Sequence, residues 1–281
     1  MKKKIISLCL VVALGATAVI GGTLAYFTDT TQEQTNAFTV GNVTITLDET
    51  DIANGNTDTK IRTEANQTFE DAIVPAREFV KDPTIHILEK SEDCYAFLEI
   101  DLNKYVSLIN LMGVDAYNAD EEFPELTGDY PGLGLFVKNV LEDADLRARV
   151  VNRWFVGVDH ADWKIMNLND IKAMVPSFAA GKNPDELCIK LGYIGEKSDK
   201  GVISPNGEQV DLKFMDKFTM PATVTEEMFN GTLAYRIDGV SASNFNTDSA
   251  NFKLSFTAHA IQAAELETIE AAYAAYFAQN K

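Results

Sequence analysis

Between Cys94 and Leu102 the chain alternates strictly. Cys94, Ala96, Leu98, Ile100 and Leu102 fall on one side of an extended backbone, and Tyr95, Phe97, Glu99 and Asp101 on the other. Successive side chains of a strand point to opposite faces, so this run predicts a strand with one face in a core and an aromatic, then acidic, face opposite. Phe252 to Gln262 repeats the pattern, with Phe252, Leu254, Phe256, Ala258 and Ala260 together. Strand-like runs also cover Val43 to Leu47, Pro83 to Leu88, Trp154 to Val158, Trp163 to Leu168, Leu187 to Ile194, Gln209 to Phe218 and Gly231 to Ile237. With no internal repeat and no linker, the simplest architecture is an all-β antiparallel sandwich over residues 38–281, with an irregular and helical insertion over about 103–180. Helical spacing of apolar residues predicts a helix within Leu133 to Val151 and a short one over Asn169 to Phe178; the Ala-rich segment Glu265 to Ala278 predicts a C-terminal helix. Asn54 to Lys60 and the acidic stretch Asp115 to Tyr130 read as exposed loops.

The first 25 residues stand apart from this pattern. Lys2, Lys3 and Lys4 precede an apolar run of 16 residues, Ile5 to Ile20, which gives way to Gly21, Gly22, Thr23 and Ala25. That order is an export leader, and the run is shorter than the roughly 20 residues of a membrane-spanning helix. Small residues at Thr23 and Ala25 place the cut before Tyr26. Cys9 leaves with the leader.

The formal charge of −18 deepens to −21 once the three leader lysines are removed. Such a surface repels phosphate backbones and anionic lipid, which disfavours nucleic acid and membrane surfaces as partners. Cys94 and Cys188 remain, each inside an apolar run; they read as small buried hydrophobes, and export permits a disulfide without requiring one.

After the cut, residues 26–37 form an arm. Tyr26 and Phe27 lead a polar tract with Thr28, Asp29, Thr30 and Thr31, whose residues favour strands but carry too little apolar surface to fold alone. The leader end Gly21-Gly22-Thr23-Leu24-Ala25, the following Tyr26-Phe27-Thr28-Asp29 and the later Phe38-Thr39-Val40-Gly41-Asn42-Val43 resemble the start of TasA/camelysin-type proteins. Val74 to Thr84 (VPAREFVKDPT) is similar to a turn-to-strand stretch of the same family, which more often has Gly where Ala76 stands. Ser255 to Gln262 resembles the family's closing strand; Asn103 to Val202 does not align. The resemblance implies a jelly-roll domain, a SipW-dependent leader cut by an ER-type signal peptidase of Gram-positive bacteria, and a place on the cell surface or in the biofilm matrix. It also implies fibres of self or sister subunits, in which the freed arm inserts as a strand into the next subunit. An exposed sheet edge can accept such a strand, and head-to-tail donation gives filaments. The residues alone leave open whether the arm donates to a neighbour, docks on its own chain or stays unpaired.

Some members of that family are described as metalloproteases. A zinc protease displays two histidines one helical turn apart beside a glutamate, whereas His86, His160 and His259 are isolated in sequence. No catalytic residue, metal or cofactor is therefore expected, and a secreted metallopeptidase or a monomeric ligand-binding surface protein are the alternatives. The acidic groups Asp48, Glu49 and Asp51, and Glu142, Asp143 and Asp145, lack the spacing of a calcium loop and read as solvated charge. Trp154 and Trp163 flank a turn, where core packing is commoner than a ligand platform.

Overall fold

The computed structural model describes residues 28–30, 42–52, 62–64, 76–102, 112, 115, 141, 143–174, 188–224 and 253–279. In chain order the described strands are β1 (Thr28–Thr30), β2 (Ile45–Thr50), β3 (Arg62–Glu64), β4 (Glu78–Val80), β5 (Thr84–Ile87), β6 (Cys94–Leu102), β7 (Phe155–Val156), β8 (Trp163–Ile165), β9 (Ile189–Tyr193), β10 (Val210–Lys213), β11 (Lys217–Thr219) and β12 (Leu254–Gln262). The described helices are α1 (Ala144–Val151), α2 (Leu168–Met174) and α3 (Ile269–Gln279). All pairings are antiparallel, in sheets of order β1-β12-β6-β9-β8, β10-β5-β2-β3 and β4-β11-β7. The expected all-β antiparallel sandwich with helices and a C-terminal helix is what the chain forms. The leader, the loop Asn54 to Lys60 and the strand expected over Gly231 to Ile237 lie outside the described residues.

The two alternating runs are the spine of the fold. β6 and β12 pair along their whole length, from Cys94 opposite Gln262 to Leu102 opposite Leu254. Their shared inner face, with Leu98, Ile100, Phe256 and Ala258, joins Ile45, Ile85 and Leu212 of the second sheet and Phe79, Phe155 and Phe218 of the third in one buried core. Each such side chain contributes about 1.5–3 kcal/mol by leaving water.

The other face of β6 departs from expectation. Tyr95 and Phe97 are wholly buried, because α3 lies across them. Phe97 meets Tyr273 and Phe277 edge-on at 6.0 and 5.9 Å, and the Tyr95 hydroxyl donates to the Leu266 carbonyl at 3.0 Å. Only Asp101 of the expected acidic face is exposed. Helix and sheet approach closely where β9 carries Gly192, since a Cβ there would stand 2.6 Å from Ile269 Cδ1.

Several boundaries also move. Gln209 to Phe218 is two strands: the Phe214 amide bonds to Pro83, the Asp216 amide to Val156, and the chain passes between sheets over Phe214–Asp216. β8 stops at Ile165 and Leu168 already begins α2. The last helix begins at Ile269, not Glu265, whose positive φ of 64° breaks helical geometry. Thr268 caps it, its hydroxyl accepting from the Ala271 amide at 3.2 Å. Within the expected helix Leu133 to Val151, α1 starts where Asp143 accepts from the Leu146 amide at 2.9 Å. Asp115 is not exposed: it is fully buried, ion-paired to Arg153 at 3.1 Å and hydrogen-bonded by Thr223. Cys94 and Cys188 are free thiols.

Ala76 sits at φ 64°, a left-handed conformation that costs a non-glycine residue on the order of 1–2 kcal/mol. Its amide bonds to the Met220 carbonyl at 2.8 Å, so the turn is fixed from both sides. A glycine would suit this geometry.

Candidate functional site

Of the residues expected to carry function, Thr23, Ala25, Tyr26, Phe27 and Thr31 lie outside the described residues. Thr28, Asp29 and Thr30 form β1, which lies beside β12 of the same chain with Thr28 opposite Ile261, Asp29 opposite Ala260 and Thr30 opposite His259. Residues 28–30 of the expected arm are thus paired within their own chain. β1 is the outermost strand of its sheet, and β12 is the strand it covers.

β12 is a firm platform for such an addition. Its inner side chains, Phe256, Ala258 and Ala260, are buried in the core, while Ile261 packs under α3. His259 is pinned from two directions: Nδ1 lies 2.9 Å from the Tyr276 hydroxyl of α3, and Nε2 lies 3.2 Å from Glu99 Oε2 of β6. The hydrogen bond from His259 holds the Glu99 carboxyl below its usual range, against the opposing effect of burial and helped by the charge of Lys190. Burial, and then Glu99, push the Cys188 thiol up to about 12, so it stays protonated and unreactive at neutral pH. Rings of Tyr276 and Phe277 close over His259 at 5.1 and 5.3 Å. Nothing in the spacing of the sequence joins His259 to Tyr276; only α3 folding back over the sheet does so.

The three histidines lie apart from one another in the fold. His86 on β5 has Asp211 2.6 Å from Nδ1 and Asp48 2.9 Å from Nε2, on opposite sides of the ring, so the three cannot converge on one ion. His160 lies in the turn before β8 and His259 beneath α3, each in different surroundings. Among the described residues no group of three or more His, Cys, Asp or Glu side chains could hold a metal ion. The residues described do not fit a zinc centre.

Asp48 and Glu49 are not solvated charge, whereas Asp143 and Asp145 are exposed as expected. Asp48 binds Arg62 and His86, and Glu49 is buried against Lys81 at 2.9 Å. Asp143 serves as the helix cap, whereas Asp145 is exposed in the first turn of α1 and Glu142 lies outside the described residues. Trp154 and Trp163 are buried in the core, as expected of them.

No helix among the described residues is long and apolar enough to cross a membrane. No curated protein and no solved structure matches the chain. A family model described as camelysin metallo-endopeptidase matches residues 1–60, the segment that holds the expected leader and arm, and β2. Over that segment the chain is similar to the camelysin family, and the TasA/camelysin resemblance read from its leader end and first strand holds there.

Proposed function

We propose that this chain is an exported, non-enzymatic structural protein of the cell surface or biofilm matrix, whose freed N-terminal arm adds as a strand to β12 of a neighbouring subunit. The observation that carries the reading is the β1–β12 ladder, because an arm that pairs with its own β12 has the backbone complementarity to pair with another copy's. An ER-type signal peptidase would release the arm by cutting between Ala25 and Tyr26. The chain between β1 and the fixed residues Asn42 to Thr44 runs from 31 to 41, a reach of about 36–40 Å when extended. That exceeds the radius of gyration of roughly 18 Å expected for a domain of this size, so the arm can reach a second subunit. Exchange of one identical strand for another leaves each ladder intact and opens a head-to-tail series that does not close.

Cysteines at Asp29 and Ala260 test this, since directly opposed residues of an antiparallel pair lie within disulfide range. In the double variant D29C/A260C, soluble protein should cross-link within one chain, and assembled protein should give a ladder of cross-linked chains on a non-reducing gel. Deleting residues 26–37 should abolish filaments and leave the folded domain. Filaments without that segment, or filaments cross-linked only within single chains, would sink the proposal. Mass spectrometry of the secreted protein should find Tyr26 at the N-terminus.

A further inference from the structure

His86 alternates along β5 with Ile85 and Ile87, both in the core, so its imidazole lies on the outer face of the second sheet. β10, the outermost described strand on that side, flanks β5 on one side and β2 on the other. Asp211 of β10 is the direct cross-strand partner of His86, with Oδ1 2.6 Å from Nδ1. Asp48 of β2 presents Oδ1 to Nε2 at 2.9 Å. Carboxylates only accept, so both contacts are hydrogen bonds only while both ring nitrogens carry protons. Either neutral tautomer turns a lone pair towards a carboxylate oxygen. A third group stands beside them: Gln209 Nε2 donates to the same Asp211 oxygen at 2.7 Å and lies 3.1 Å from His86 Nδ1. We propose that His86 is a proton-operated latch on β10. Doubly protonated, the ring ties β10 to β5 and β2; on losing the Nδ1 proton it accepts a hydrogen bond from Gln209 and releases the Asp211 carboxylate to water.

The two nitrogens are not equivalent, and their surroundings decide which proton leaves. Asp48 is fixed by Arg62 of β3, which also binds Asp82 at 3.0 Å, so its carboxylate cannot turn away from Nε2. The Asp211 side chain is 53% exposed against 27% for Asp48, so water can solvate it once the ring proton is gone. Nδ1 has a replacement donor already in place in Gln209, and the neutral ring that keeps its Nε2 proton on Asp48 has no unmet lone pair. Lys197 is the other nearby cation, but its ammonium donates to the Asp211 backbone carbonyl at 2.6 Å. Burial disfavours the charged ring, yet the hydrogen bonds to Asp211 and Asp48 outweigh it and raise the His86 pKa above its ordinary value. The latch is therefore shut in mild acid and opens as pH rises through that raised value.

Side-chain nitrogen NMR of the purified protein from about pH 5.5 to 8.5 reads the exchange through only three histidines. In acid both His86 nitrogens should be protonated. At the other end Nε2 alone should keep its proton, and the Gln209 side-chain amide and Asp211 carboxyl signals should move in the same transition. Leu212 of β10 stands opposite Ile85 in the ladder. Its amide protection, corrected for the intrinsic exchange rate, should fall about threefold to tenfold across the transition, as for one partly exposed charge-assisted hydrogen bond. Asp211→Asn should lower the His86 midpoint, whereas Gln209→Ala should raise it, because the neutral ring loses its donor. A neutral ring protonated at Nδ1, a Gln209 amide that does not follow the titration, unchanged Leu212 protection, or a midpoint that Gln209→Ala leaves in place would each overturn the latch. The tautomer and exchange readings come from the unaltered protein, so they decide the matter even where a variant fails to fold.

Discussion

Glu49→Leu should be among the most damaging single changes in the second sheet. The Glu49 and Lys81 side chains are 2% and 3% exposed and lie 2.9 Å apart, with the Phe256 ring 5.5 Å from the ammonium. Removing the carboxylate leaves a buried cation facing an aromatic ring and a leucine. Breaking a buried pair from one side costs about 3–5 kcal/mol, whereas replacing both partners by apolar groups is often neutral. At a urea m-value of about 3 kcal/mol/M, the single variant should unfold at about 1–1.7 M less urea. The double variant Glu49→Leu/Lys81→Met should recover most of that loss. The pH dependence is a second check. Burial holds Lys81 below its usual range, against the attraction of Glu49 and Asp82. The unfolded chain therefore binds more protons between the lowered folded value and the ordinary lysine value, and stability rises with pH through that window. Without Glu49 the folded value falls further, so the deficit of Glu49→Leu should shrink as pH is raised from 7 towards 10. A single variant that loses under about 1 kcal/mol, or a double variant no better than the single, would refute the reasoning.

His86 should give the second sheet an opposite pH response. Burial disfavours its charge, but hydrogen bonds to Asp211 and Asp48 outweigh this and its pKa is raised, so its contribution is full below the unfolded histidine value and is lost as pH rises through the folded one. Melting temperature across pH 5.5–8.5 should show that loss, and His86→Gln should flatten it. Ala76→Gly should stabilise by about 1 kcal/mol in chemical denaturation, because it relieves a left-handed alanine. Gly192→Ala should destabilise by about 1–3 kcal/mol, since its Cβ would displace Ile269 and lift the start of α3. Increased binding of a hydrophobic dye by Gly192→Ala would mark the exposed Tyr95 and Phe97. Tyr276→Phe should cost about 1 kcal/mol through the lost His259 contact, measured by the same urea titration.

Period-two alternation carried the reading of β6 and β12 because one face of each is in the main core throughout. It said nothing of what would cover Tyr95 and Phe97, since their cover comes from α3, more than 170 residues along the chain. The expected strand Gln209 to Phe218 failed where Phe214 stays buried while the backbone leaves one sheet for another; burial continues across a change of partner that hydropathy does not register. Asp115 was misread because an acidic stretch looks solvated until Arg153, 38 residues away, is folded against it. The arm was legible as a strand in search of an edge, but not which edge. The cavity between α1, α2 and β8 could not be foreseen, because His160 lies in a turn and comes to line it with Arg147 only through packing.

β1 and β12 stand near opposite ends of the chain, which gives their pairing a place in time as well as in space. The arm is made first and its acceptor almost last, an interval of roughly ten to fifty seconds at 5–20 residues per second. Throughout that interval β12 of the same molecule does not exist, and the loop that must then close nearly spans the protein, the slowest kind of contact to form. A finished neighbour whose own arm is undocked already displays a complete β12. If the arm is donated as proposed, an arm that emerges beside such a neighbour would meet the foreign edge before its own exists, and the rate of synthesis would bias whether a subunit closes on itself or joins another.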